Sequence, residues 1–133
     1  MENDPSELAC RRRQSEATLE TLAAILEGGG YRPNSSSEAD IQAEAIERIS
    51  LAGINAQAED VSGKNRFDIR VGGHVVVEVK IDGGTDSVRR QIERYVSDPS
   101  VDAVLLLTTK QKHRSIGGLQ FAKKVAVAYA IRF

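Results

Sequence analysis

Charged side chains interrupt two strongly apolar segments near the middle of the chain. Arg66-Phe67-Asp68-Ile69-Arg70 is followed, after Val71-Gly72-Gly73-His74, by Val75-Val76-Val77-Glu78-Val79-Lys80. Both segments read as strands, and the glycines between them as a hairpin turn. Glu78 and Lys80 are two apart and share one face of their strand, while Val77, Val79 and Ile81 take the other. Where Asp68 falls depends on the turn. A two-residue Gly72-Gly73 turn pairs Asp68 with Val77 and faces it away from Glu78. A three-residue Gly72-Gly73-His74 loop pairs Val71 with Val75. That register sets Asp68 opposite Glu78 and Lys80 opposite Arg66, and glycine takes the left-handed position such a loop needs.

Two carboxylates directly opposite repel, so the second register calls for a cation between them. Hard oxygen ligands without a Cys or a His pair suit Mg²⁺ or Mn²⁺ rather than zinc. Beside such an ion Lys80 would orient or help deprotonate a water. Two carboxylates, a lysine and a divalent metal together suit hydrolysis of a phosphodiester. The plain alternative is a cross-strand charge cluster on a solvated face. Val75 to Ile81 is too apolar for a strand with a fully wet face.

The elements that must position these residues follow from periodicity and breakers. Residues 6–27 read as a helix with Leu8, Leu19, Leu22, Ala23, Ile25 and Leu26 on one face, stopped by Gly28-Gly29-Gly30. Tyr31 to Ser37 reads as a linker. Residues 1–34 are therefore expected to be a helical appendage, and residues 35–133 one domain. A second helix is expected from about Ser36 to Ala52, with Ser35 and Glu38 at capping-box spacing. Its buried face is Ile41, Ala45, Ile46, Ile49 and Leu51/Ala52, and Gly53 ends it. Strands are expected at Ile54–Asp60, Arg66–Val71 and Val75–Ile81. A helix capped by Asp86 and running through Ser97 comes next, then a strand at Val101–Thr109 buried on both faces. Lys110–Ser115 reads as a basic loop and Lys124 to Phe133 as a last strand. This order predicts an α/β protein with a mixed central sheet flanked by helices.

The 133 residues suit one core-forming domain, and 41% hydrophobic with 28% charged residues exclude disordered and fibrous classes. The single cysteine, Cys10, excludes an intramolecular disulfide framework and a Cys-rich zinc site. The longest apolar run, Ala103–Leu107, is too short to span a bilayer. Met1-Glu2-Asn3-Asp4 does not look like a secretory signal, so a cytoplasmic protein without a membrane partner is expected. The net charge of −1 hides a split: residues 1–61 carry −7 and residues 62–133 carry +6. The C-terminal half can meet a polyanion, with modest and salt-dependent affinity.

Asp68, nine intervening residues, then Glu78-Val79-Lys80 resembles the core motif of the PD-(D/E)XK nuclease superfamily, with Phe67 where the motif's variable proline would stand. The expected element order is similar to that superfamily's restriction-endonuclease-like αβββαβ core. Gln91-Ile92-Glu93-Arg94-Tyr95 resembles the Gln-x-x-x-Tyr motif of RecB-like and lambda-exonuclease-like members. Glu38-x-x-x-Gln42 resembles the opening of VRR-type (virus-type replication-repair) nucleases. The resemblance covers roughly residues 36–109.

The resemblance implies a Mg²⁺- or Mn²⁺-dependent deoxyribonuclease that hydrolyses phosphodiesters to a 5′-phosphate and a 3′-hydroxyl, in replication, recombination or repair, in a virus or mobile element and so in a host cytoplasm. It implies Glu38, Asp68, Glu78 and the Val79 carbonyl as metal ligands and Lys80 as the water-orienting residue. Gln42, Gln91 and Tyr95 would contact substrate or a metal-bound water. Glu44 and Glu47 compete with Glu38, but Glu44 points about 120° away from Glu38 and Gln42 on a helical wheel. Arg90, Arg94, Lys110 and His113 are candidate DNA contacts. Without a recognition domain, selectivity for DNA structure rather than base sequence is expected. A two-fold dimer through the first helix would suit a paired-strand cut. The alternative is a catalytically weak nuclease-fold protein that binds nucleic acid or a protein partner.

Overall fold

The computed structural model describes residues 4–34 and 36–132. The elements run α1 (Pro5–Leu26), β1 (Gly28–Tyr31), α2 (Glu38–Leu51), β2 (Ala56–Ser62), β3 (Asn65–Val71), β4 (Val75–Lys80), α3 (Thr85–Val96), β5 (Ala103–Thr108), a 3-10 helix (Gln111–Gly118) and β6 (Lys124–Arg132). One six-stranded mixed sheet has the order β1-β6-β5-β4-β3-β2. β2, β3 and β4 form an antiparallel meander, and β4, β5, β6 and β1 are parallel neighbours. Among the described residues no helix is long and apolar enough to cross a membrane.

β5 is the centre of the core because its whole apolar run is buried. Leu105 and Leu107 pack with α1 and α2 on one face of the sheet, and Val104 and Leu106 pack with α3 and the 3-10 helix on the other. Covering both faces of a parallel pair removes the alternation a half-wet strand would show. The α2-β2-β3-β4-α3-β5 succession is the αβββαβ order read from the sequence.

The N-terminal segment corrects the sequence expectation. α1 is not set apart from the sheet: Leu19, Leu22 and Leu26 are fully buried in the same cluster as Val77, Val79, Leu105 and Leu107. Each such leucine contributes about 1.5–3 kcal/mol relative to exposure. Asp4 caps α1 by accepting from the Ser6 N–H, and Pro5 sits where its missing donor costs nothing. The expected stop at Gly28-Gly29-Gly30 is a strand, β1, pairing with β6 through Gly28–Ala130 and Tyr31–Arg132. Tyr31 is fully buried, its hydroxyl donates to the Leu26 carbonyl at 2.7 Å, and the Arg48 guanidinium stacks 3.7 Å over its ring. Arg48 also donates to the Gly29 carbonyl at 3.0 Å and lies 3.2 Å from where a Cβ of Gly30 would stand. Gly30 has φ +90°, so glycine answers both the backbone and the close approach.

Other boundaries shift for local reasons. Ser37 caps α2, accepting from the Asp40 N–H at 3.1 Å. The expected cap Ser35 lies outside the described residues, as do Phe133 and residues 1–3. Gly84, not Asp86, precedes α3, and Asp86 in its first turn pairs with Arg89 and Arg90. The expected basic loop after β5 is the 3-10 helix, held by buried His113 and Ile116.

Candidate carboxylate site between the hairpin and α3

The turn has the three-residue form. Val71 pairs with Val75, Arg70 with Val76 and Ile69 with Val77, and Gly72 and Gly73 take φ of 62° and 83°. His74 reads as a turn residue and binds the Ser100 carbonyl through Nδ1 at 2.9 Å, fastening the turn to the segment before β5.

At Asp68 the regular ladder stops. The β3–β4 pairs end at Ile69–Val77, and the β2–β3 pairs skip the rung between Glu59 and Asp68. Glu59 has φ 50°, uncommon for a residue with a side chain. Ile69 belongs to the α1/α2 face whereas Phe67 packs against α3, so the two do not share a side as regular alternation requires. Expected Lys80–Arg66 and Asp68–Glu78 rungs are therefore not part of the ladder. Asp68 is held in another way: its Oδ2 accepts from the Val79 N–H at 2.8 Å, and its carbonyl accepts from Gln42 Nε2 at 3.0 Å. Gln42 on α2 thus reaches the hairpin, through the backbone of Asp68.

Glu78 is 3% exposed. Its Oε2 accepts from the Tyr95 hydroxyl at 2.9 Å and lies 3.9 Å from Lys80 Nζ. Among the described residues its Oε1 is buried without a hydrogen-bond partner. Burial pushes the Glu78 carboxyl up to about 9, and the adjacent Asp68 carboxylate pushes the same way, against the weaker pull of Tyr95 and Lys80. Asp68 and Glu78 are thus neighbours, although not through the regular rung expected from the three-residue loop. A buried unpartnered carboxylate oxygen with a second acid nearby needs a shared proton or a cation. An all-oxygen pair of this kind fits a hard divalent ion.

α3 presents Gln91 and Tyr95 to the pair. They are one turn apart, and Gln91 Nε2 donates to the Tyr95 oxygen at 2.8 Å. The single phenolic proton is shared between Glu78 Oε2 and the Arg66 carbonyl, 3.0 Å away. Burial and the nearby Glu78 raise the Tyr95 hydroxyl, which keeps it protonated as a donor. Phe67 meets the Tyr95 ring edge-on at 4.9 Å, fixing its plane.

The remaining expected residues separate into those near the pair and those elsewhere. Glu38 begins α2, half-buried, one turn before Gln42. Among the described residues no three His, Cys, Asp or Glu side chains form a metal-sized group. Glu44 is buried and accepts from the Arg32 N–H at 2.8 Å, and Glu47 pairs with Arg32. Val79 meets the pair through its N–H. Arg90 is exposed and paired with Asp86, Arg94 is exposed, and Lys110 is exposed beyond β5.

His113 is a correction. It is fully buried, with Nδ1 2.7 Å from Thr108 Oγ1 and Nε2 2.8 Å from the Gly83 carbonyl. The Gly83 carbonyl can only accept, so Nε2–H donates to it, and Nδ1 faces the Thr108 hydroxyl, which also accepts from the Lys110 N–H. A side chain so enclosed is a tie between two loops, not a DNA contact. The sequence signal for this was weak, since a lone His in a basic stretch reads as surface. Arg66 is the reverse case: its charge pairs with Glu59, and it is the carbonyl that serves the site.

Comparison with family models, curated proteins and solved structures found no match to this chain.

Proposed function

We propose that the protein is a metal-dependent nuclease acting on DNA, with a restriction-endonuclease-like core. The observation that carries this reading is the buried Asp68–Glu78 pair with its unpartnered Oε1 and with Lys80 alongside. Asp68 and Glu78 would hold Mg²⁺ or Mn²⁺, with the Val79 carbonyl beside them. Bound there, the ion would neutralise phosphate charge and lower the pKa of the attacking water. Gln42 and the Val79 N–H keep Asp68 in one orientation, and the Tyr95–Gln91 couple does the same for Glu78. Lys80 would orient the water, which would give up its proton to solvent as its oxygen attacks phosphorus. The P–O3′ bond would break and O3′ would take a proton from solvent water, leaving a 5′-phosphate and a 3′-hydroxyl. The basic C-terminal half supports a polyanionic substrate, and a role in replication, recombination or repair fits such an activity.

The test is a cleavage panel of branched, flapped, linear and circular DNA with Mg²⁺ and Mn²⁺. Wild type should cut at least one, and Lys80→Ala should cut none while melting at the same temperature. Equal cleavage by Lys80→Ala would overturn the mechanism. A second reading is a nuclease-fold protein that binds nucleic acid or a partner with little cleavage. Mn²⁺ that produces neither calorimetric heat nor a thermal shift would favour that reading.

A further inference from the structure

The tip of the β2–β3 hairpin faces the C-terminal half of α3 across a cavity of about 330 Å³. Lys64 and Asn65 line it from the hairpin, and Arg94 and Ser97 from the helix. Asn65 precedes Arg66 and Arg94 precedes Tyr95, and Arg66 and Tyr95 are joined by the 3.0 Å bond that runs on to Glu78. The elements that line the cavity are thus the ones whose next residues, Arg66 and Tyr95, are hydrogen-bonded to one another and on to Glu78.

The cations around it differ from most others nearby. Arg66 is paired with Glu59, Arg89 with Glu93 and Asp86, Arg90 with Asp86, and Arg70 with Asp60. Among the described residues Lys64 and Arg94 take part in no ion pair. One acid also lines it: the Asp98 carboxylate accepts from the Ser100 N–H and hydroxyl and from the Asn65 amide, and these bonds outweigh burial and hold it in its charged form. Two uncommitted cations at a glycine turn outnumber that carboxylate and suit an anion with several acceptor oxygens.

We propose that Lys64 and Arg94 bind a backbone phosphate of the nucleic acid strand flanking the scissile bond. This rests on the nuclease reading and adds to it a second contact point. The contact is to charge, not to base edges, so it fixes the position of the strand without selecting sequence. Lys64 lies in a turn and carries no motif, which is why the sequence alone gives it no part.

Binding of a short labelled duplex, followed by fluorescence anisotropy against salt without divalent metal, tests this. Lys64→Ala and Arg94→Ala should each lower the slope of log K against log salt by about 0.9, and the double variant by about twice that. Lys124→Ala, which removes an exposed β6 cation paired with Glu20, should leave it unchanged. All variants should melt with wild type, since both cations are exposed. An unchanged slope in the double variant overturns the subsite while leaving nucleic acid binding intact. If the wild type binds no duplex even at low salt, the nuclease reading falls and the subsite with it. Calorimetric titration with inorganic phosphate separates the two sources of the anion. No heat is expected, and saturable heat lost in the double variant would mark a free-phosphate site and overturn the proposal.

Discussion

The Tyr95 hydroxyl, on α3, lies 2.9 Å from Oε2 of Glu78, on β4. It is the hydrogen-bond donor that reaches the carboxylate from the helix side, and it is itself held by Gln91. Tyr95→Phe keeps the ring against Phe67 and removes only the hydroxyl. Stability should fall by about 1 kcal/mol, the usual worth of one hydrogen bond. The Mn²⁺ concentration for half-maximal cleavage should rise several-fold, because Glu78 loses a group that favours its charged form. Denaturant melts and a metal titration of cleavage check the two effects separately.

The pair should make stability fall with rising pH when no metal is bound. Glu78 is held up to about 9 from an ordinary 4.5. A carboxyl that keeps its proton more tightly in the folded chain stabilises that state fully below its unfolded value. The contribution is lost as pH rises through the folded value. The melting temperature of wild type should therefore decline between about 4.5 and about 9. Glu78→Gln, which cannot ionise, should flatten the decline. Mn²⁺ should restore the alkaline loss in wild type and not in the variant.

Arg11 tests whether α1 belongs to the core. Its Nη2 and Nε bind the two oxygens of buried Asp102 at 2.8 and 2.9 Å, and Ser15 donates to the same carboxylate at 2.9 Å. Burial pushes Asp102 up, but Arg11 and Ser15 outweigh it and hold it below its ordinary 3.8. That contribution is present above 3.8 and is lost as pH falls through the folded value. Arg11→Ala should cost about 3 kcal/mol, the lower end for breaking a buried pair, because Ser15 remains. Leu22→Ala should cost about 2–5 kcal/mol. Urea unfolding measures both, and near-zero values would return α1 to the status of an appendage.

His113→Ala should behave as a structural change. It leaves the Gly83 carbonyl and the Thr108 hydroxyl without the ring, at about 1–3 kcal/mol for each group left unsatisfied. The salt dependence of DNA binding should not change. A shifted slope with an unchanged melt would make His113 a phosphate contact after all.

Much of the hairpin was legible in the chain because it is local. The glycines at 72 and 73 accept positive φ, the flanking valines set the strands, and the register follows within a few residues. The all-apolar β5 declared its double burial in the same way. The helix pair Gln91 and Tyr95 was legible because helical spacing alone puts them on one face.

What the local pattern misses is long-range pairing. Gly28-Gly29-Gly30 has the composition of a breaker, and only β6, about a hundred residues later, turns it into a strand by taking up its backbone groups. His113 has the composition of a surface loop, and only Thr108 and Gly83 enclose it. Residue types and spacing by themselves determined the αβββαβ order and the Asp68, Glu78 and Lys80 set, since both depend on periodicity over a few residues. Only tertiary structure decided that the ladder breaks at Asp68, that α2 and α3 hold the two acids from opposite sides, and that Lys64 and Arg94 line one cavity. Each of these is a contact between segments far apart in the chain, and no local preference encodes it.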